Sequence, residues 1–160
     1  MKREAGFTLL ELLVVVAILG IMTATAMPLY HAFQQRAYGS EAVVTIKRIL
    51  EGQIAYFLEN EKFFPDQGTR IIQIYHDSFS PEEIRDIQEV KNALNIEIRT
   101  GHFLDYQFLA EDDPVQGEMF SITVTPHGDF ALVKDAAPGA SMSARMNRQG
   151  NIMWVLPGQE

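Results

Sequence analysis

Residues 7–27, FTLLELLVVVAILGIMTATAM, confine this chain more than any other feature. Sixteen of these 21 residues are hydrophobic; the exceptions are Thr8, Glu11, Gly20, Thr23 and Thr25. As a helix rising about 1.5 Å per residue the run is about 31 Å long, which matches a bilayer hydrocarbon core of about 30 Å. Lys2 and Arg3 precede it, and the next basic residue is Arg36. Positive charge on the short N-terminal side predicts a cytoplasmic N-terminus, with the bulk of the chain outside a bacterial inner membrane.

The rest of the chain has a different character. Overall, 47% of the 160 residues are hydrophobic, but without the apolar run the fraction falls to roughly 42%, an ordinary soluble value. Residues 1–35 carry Lys2, Arg3, Glu4 and Glu11 and are neutral, so the whole net charge of −8 lies in residues 36–160. An acidic head repels phosphates, so direct nucleic-acid binding is not expected. The absence of cysteine excludes a disulfide framework, a thiolate metal site and a cysteine nucleophile.

Glu11 is the informative residue of the run. A carboxylate at that depth costs about 2.5–3.5 kcal/mol on insertion scales and marks a functional position. It lies four residues after Phe7, on the same helical face. Cleavage between Gly6 and Phe7 would create an amine that Glu11 of a neighbouring, axially shifted helix could neutralise. Two other readings fit the residues. One is a secretory signal peptide cut after Ala24-Thr25-Ala26, although Glu11 and the run's length disfavour it. The other is a plain single-pass anchor whose Glu11 snorkels to the interface.

The order Gly6-Phe7-Thr8-Leu9-Leu10-Glu11 before an apolar run resembles the prepilin N-terminus shared by type IV pilins and type II secretion pseudopilins. The likeness spans about residues 1–62. It includes Gly20, Pro28 and the tract Arg36-Ala37-Tyr38-Gly39-Ser40-Glu41-Ala42, which looks like the corresponding type IV pilin segment. The resemblance implies cleavage after Gly6 by a membrane-bound prepilin peptidase and N-methylation of Phe7. It implies that Glu11 pairs with the Phe7 amine of an adjacent subunit. An assembly ATPase and an inner-membrane platform protein would move subunits from the bilayer into a filament. Gly20 and Pro28 would bracket a stretch that melts on assembly; Gly costs about 1 kcal/mol in a helix and Pro removes a hydrogen bond. Thr23 and Thr25 could bond the carbonyls freed there.

Between Leu29 and Lys62, apolar residues recur at Ile46, Ile49, Leu50, Ile54, Phe57 and Leu58, preceded by Ala42 and Val43. This stripe predicts an amphipathic helix with one face on a sheet, stopping near Phe63-Phe64-Pro65. The aromatic series Phe7, Tyr30, Phe33, Tyr38, Phe57 and Phe63 resembles that of aromatic-rich pilins proposed to conduct electrons, but it is read as packing between subunits and against the sheet. Gln67-Gly68-Thr69 reads as a loop, and Ile71, Ile72, Ile74 and Tyr75 as a short apolar segment. Ser80-Pro81-Glu82-Glu83 has the form of a capping box opening a helix that ends near Asn95. Alternation at Leu104, Tyr106 and Phe108, and at Phe120, Ile122 and Val124, predicts strands. Phe130–Val133, Ala144 with Met146, and Ile152–Val155 are read as the remaining strand segments of an antiparallel meander.

His31, His76, His102 and His127 show no ligand spacing and are read as surface residues. Glu111, Asp112 and Asp113 with Glu118 form a candidate acidic calcium loop, although the alternating pattern of a calcium-binding loop is missing. No catalytic motif is present, so no enzymatic activity and no cofactor are expected. The expected class is α+β. Its parts are a leader (1–6), a membrane and filament-core helix (7–28), an amphipathic helix (29–62) and a globular head (63–160). The expected function is a structural subunit of a type IV pilus, polymerising with itself and related pilins. Alternatives are a type II secretion pseudopilin and, more remotely, a membrane-anchored periplasmic binding or enzymatic domain.

Overall fold

A computed structural model describes residues 7–65, 70–114 and 117–157. The leader, including Gly6, and the expected loop Gln67-Gly68-Thr69 lie outside the described residues. Helix α1 covers Leu9–Asn60 and continues through Pro28. Strand β1 (Ile71–Ile74), helix α2 (Pro81–Leu94) and strands β2 (Leu104–Asp113), β3 (Gly117–Pro126), β4 (Met142–Asn147) and β5 (Ile152–Val155) follow. The five strands form one sheet in the order β1-β2-β3-β4-β5, every pair antiparallel. This is the expected α+β meander. By internal contacts the chain divides into two units, Met1–Gln34 and Gln35–Glu160.

In the first unit the helix presents its apolar side chains outward, from Leu9 and Leu10 through Leu29. By length and composition this helix can cross a membrane. In the second unit α1 buries Gly39, Ala42, Ile46, Ile49, Leu50 and Gln53. The expected stripe is therefore right in its first half and displaced in its second. Ile54 and Leu58 are exposed, Phe57 is half-buried, and the polar Gln53 occupies the buried line. The geometric reason is that Gln53 lies three and four residues beyond Leu50 and Ile49, which puts it on the inner ridge. Its polarity is satisfied there: Gln53 Nε2 donates to the Phe64 carbonyl (2.6 Å) and its Oε1 accepts from Phe64 N–H (3.0 Å). The helix stops at Asn60, earlier than Phe63, with Glu61 in the left-handed region (φ 60°).

Two glycines of α1 mark close crossings. A Cβ at Gly39 would collide with the Leu132 carbonyl oxygen, and one at Gly52 would lie 2.8 Å from the Leu94 carbonyl oxygen. Both neighbours are backbone, so neither can swing aside.

Helix α2 begins as its sequence predicts. Ser80 accepts from Glu83 N–H (3.2 Å), and Glu83 Oε2 accepts from Ser80 N–H (2.8 Å). These donors, the Ser80 backbone first, hold the Glu83 carboxyl below its ordinary range. Asn95 closes the helix in the left-handed region. Arg70 ties α2 to the approach to β1 through Glu89 (2.7 and 2.9 Å) and Asp86 (3.1 Å).

The strand alternation also holds. Leu104, Tyr106, Phe108 and Ala110 of β2 are buried, as are Phe120, Ile122 and Val124 of β3. Phe130–Val133, however, is not a strand. Phe130 and Leu132 are buried, Phe130 packs on Tyr38 (ring centroids 5.0 Å apart), and Gln35 Nε2 donates to the Val133 carbonyl (2.7 Å). The segment lies along α1, and an α1 side chain satisfies part of its backbone, so it takes no place in the ladder.

Tyr106 links the sheet to α1 through a hydrogen bond with Thr45. Burial pushes its phenol up to about 12, and the Glu41 carboxylate adds to the rise. A folded-state value above the unfolded value near 10 stabilises the fold fully below pH 10, and that stabilisation disappears as pH rises towards 12. Over that interval wild type is expected to lose about 2 kcal/mol more than Tyr106→Phe. Denaturant unfolding of both proteins at pH 9 and 11.5 measures the difference.

Candidate functional site

Of the residues expected to govern processing and assembly, Phe7 and Glu11 are among the described residues, just before and within the first turn of α1. Phe7 immediately precedes the helical cap and is 79% exposed. Thr8 and Glu11 form a reciprocal cap. Glu11 Oε2 accepts from Thr8 N–H (3.0 Å) and from the Thr8 hydroxyl (2.9 Å), while Glu11 N–H donates to Thr8 Oγ1 (3.2 Å). Thr8-Leu9-Leu10-Glu11 is thus a capping box of the T-x-x-E type, a signal present in the three-residue spacing of the sequence. In the single chain Glu11 has local partners that satisfy helix-end N–H groups. A cationic partner would add charge pairing to a carboxylate already oriented.

Gly20 has open space around its Cα, and α1 is helical at both Gly20 and Pro28. The two threonines bond their own turns: Thr23 Oγ1 donates to the Leu19 carbonyl (2.7 Å), and Thr25 Oγ1 to those of Met22 (2.9 Å) and Ile21 (3.3 Å). The carbonyl that Pro28 leaves without its usual i+4 donor is that of Ala24. The threonines therefore serve other carbonyls than the one freed by proline.

The acidic candidate takes a different form from the expected loop. Glu111, Asp112 and Asp113 belong to β2, and Asp112 lies opposite Glu118 of β3. Glu118 Oε2 binds Arg148 Nη2 (3.0 Å), and its Oε1 accepts from Phe63 N–H (3.0 Å). Its carboxylate joins the chain after α1 to the end of β4, so of the candidate calcium ligands Glu118 is already committed to protein donors.

Sequence spacing missed one cluster. His76, Asp105 and His127 meet at one end of the sheet, with one ligand-type atom of each within 4.8 Å of the others. The strand register explains the meeting: Ile74 pairs with Tyr106, and Leu104 with Pro126, so residues just past β1 and β3 converge on the start of β2. His102 is separate, its Nδ1 lying 3.1 Å from Glu41 Oε1.

Comparison with known proteins points to the N-terminal region. Residues 1–27 match a family model described as the prokaryotic N-terminal methylation motif. The chain is similar to the type IV major pilin protein PilA of Myxococcus xanthus, with 39% identity over 77 residues, 42% of this chain and 35% of that protein. It is similar to the type IV major pilin protein PilE1 of Neisseria gonorrhoeae, with 38% identity over 66 residues, 41% of this chain and 39% of that protein. A fimbrial protein of Neisseria meningitidis serogroup B is 32% identical over 91 residues, 57% of this chain and 52% of that protein. The chain thus spans about a third to a half of the length of these curated relatives. No solved structure matches.

Proposed function

We propose, from an N-terminal region that is that of the type IV pilin family, that this chain is a structural subunit of a type IV pilus. The observation that carries the reading is the methylation motif over residues 1–27, which contains Phe7 and Glu11 at the start of a helix able to cross a membrane. A prepilin peptidase cuts after Gly6 and methylates Phe7, leaving a chain that is anchored in the inner membrane with its N-terminus cytoplasmic. An assembly ATPase and a platform protein then transfer it into a filament, where the exposed apolar side chains of residues 9–29 pack against those of other subunits. Physically, packing against other apolar helices replaces packing against lipid, and the Glu11 carboxylate exchanges an unfavourable hydrocarbon environment for a charged partner.

N-terminal mass spectrometry of the chain recovered from sheared surface filaments, from the membrane fraction and from the soluble fraction tests this reading. A mature chain starting at N-methylated Phe7 is expected. A start at Met27 would make the segment a cleaved signal peptide, and an intact Met1 would make it a plain anchor. A correctly processed chain absent from surface filaments but retained in a secretion apparatus would assign it to the pseudopilins instead.

A further inference from the structure

We infer that His76, Asp105 and His127 form a binding site for a divalent metal ion of the zinc class, with the Asp77 carboxylate as a fourth ligand. The three side chains come from segments far apart in the chain, and backbone hydrogen bonds hold them together. Gly101 N–H donates to the His76 carbonyl (2.7 Å), and His127 N–H donates to the Phe103 carbonyl (2.8 Å). His76 N–H donates to Asp105 Oδ1 (2.7 Å), which fixes the carboxylate before any ion arrives.

The distance between His76 and Asp105 suits one ion. His76 Nδ1 lies 3.1 Å from Asp105 Oδ1. Two ligands each about 2.0–2.1 Å from a tetrahedral ion stand a little over 3 Å apart, so this pair already has the spacing of one coordination edge. An N–H on Nδ1 can bridge the two as a hydrogen bond in the free chain, and a metal ion can take the place of that hydrogen. The His127 ring stacks on that of His76, with centroids 3.6 Å apart and planes 24° from parallel. One ligand-type nitrogen of each ring lies within 4.8 Å of the carboxylate, and because stacked rings cannot both aim in-plane lone pairs at one ion, binding requires the exposed His127 ring to turn out of the stack about its side-chain torsions. Asp77 Oδ1 lies 3.7 Å from His76 Nδ1 on an exposed side chain that is free to turn inward.

The donor set selects the class of ion. Two imidazoles and one or two carboxylates suit zinc and its first-row neighbours, whereas calcium requires six to eight oxygens. Two carboxylates balance the charge of a divalent cation. The cluster is distinct from Asp112, Asp113 and Glu118, which lie at the opposite end of the β2–β3 pair.

The test uses the full chain in detergent, stripped with a chelator, dialysed and titrated with zinc chloride. Bound metal is measured by mass spectrometry and the unfolding midpoint by circular dichroism. One zinc per chain and a higher midpoint are expected. His127→Gln, at an exposed position, should weaken binding by at least about tenfold while its metal-free midpoint stays at the wild-type value. His76→Ala should do the same to binding, and His102→Ala should leave it unchanged. No retained zinc, zinc retained equally by His127→Gln and His76→Ala, or calcium bound in preference to zinc would each overturn the assignment.

Discussion

Glu11→Ala is expected to be cut after Gly6 and to accumulate in the membrane without building filaments. The substitution removes a charge that costs about 2.5–3.5 kcal/mol in hydrocarbon, so the lipid-embedded monomer becomes more stable. In the proposed filament it would also remove the partner for a neighbouring Phe7 amine. Removing the monomer's penalty alone shifts the equilibrium towards the bilayer by about a hundredfold, since 1.4 kcal/mol is a factor of ten. The capping box adds a discriminating variant. Glutamine also closes a T-x-x-Q cap with Thr8, so Glu11→Gln keeps the helix end seen in the chain and loses only the charge. Both variants should fail to assemble when sheared filaments are quantified. If Glu11→Gln assembles normally while Glu11→Ala does not, helix capping rather than charge pairing is the role of this side chain.

Gln53→Leu is expected to lower the stability of the head by about 2–4 kcal/mol. Gln53 is fully buried and serves both the N–H and the carbonyl of Phe64. Leucine leaves two buried backbone groups unpaired at about 1–3 kcal/mol each, partly offset by the apolar surface it adds. At about 4 °C per kcal/mol for a unit of this size, the unfolding midpoint should fall by roughly 8–16 °C. Gln53→Glu separates hydrogen bonding from volume. Its carboxylate accepts from Phe64 N–H but offers the carbonyl a donor only when protonated. A folded-state pKa raised by burial gives stability present at low pH and lost as pH rises, so this variant should lie closer to wild type at pH 4.5 than at pH 8. Chemical unfolding of full-length protein in detergent, monitored at both pH values, provides the measurement. Equal destabilisation at both would show that the amide pair contributes little.

These cases show what local pattern conveys and what it omits. The Ser80–Glu83 cap, the helix it opens and the alternating strands β2 and β3 follow from residues a few positions apart, and the structure reproduces them. The position of Gln53 depends on where Phe64 returns after the helix, and hydrophobic periodicity carries no information about that. Phe130–Val133 looks like a strand because apolar residues in a row suit any buried segment; its fate was decided by Gly39, which lets another backbone settle on α1. The histidine cluster depends on strand register. His76, Asp105 and His127 are unrelated by spacing, and only the pairing of Ile74 with Tyr106 and Leu104 with Pro126 makes them neighbours. The Thr8–Glu11 cap, by contrast, was available from a three-residue spacing.

The contact of Gln35 and Gly39 with Leu132 and Val133 also sets an order of events during synthesis. The hydrogen bond between Gln35 and Val133 closes a loop of 98 residues. A ribosome must therefore deliver the first three of the five strands before this contact can help to cover the helix stripe around Ala42, Ile46, Ile49 and Leu50. Until then that stripe faces water after the preceding apolar segment has emerged. Translocation consequently presents a half-finished amphipathic helix whose sticky side awaits strands not yet made, a condition that favours capture by holding chaperones.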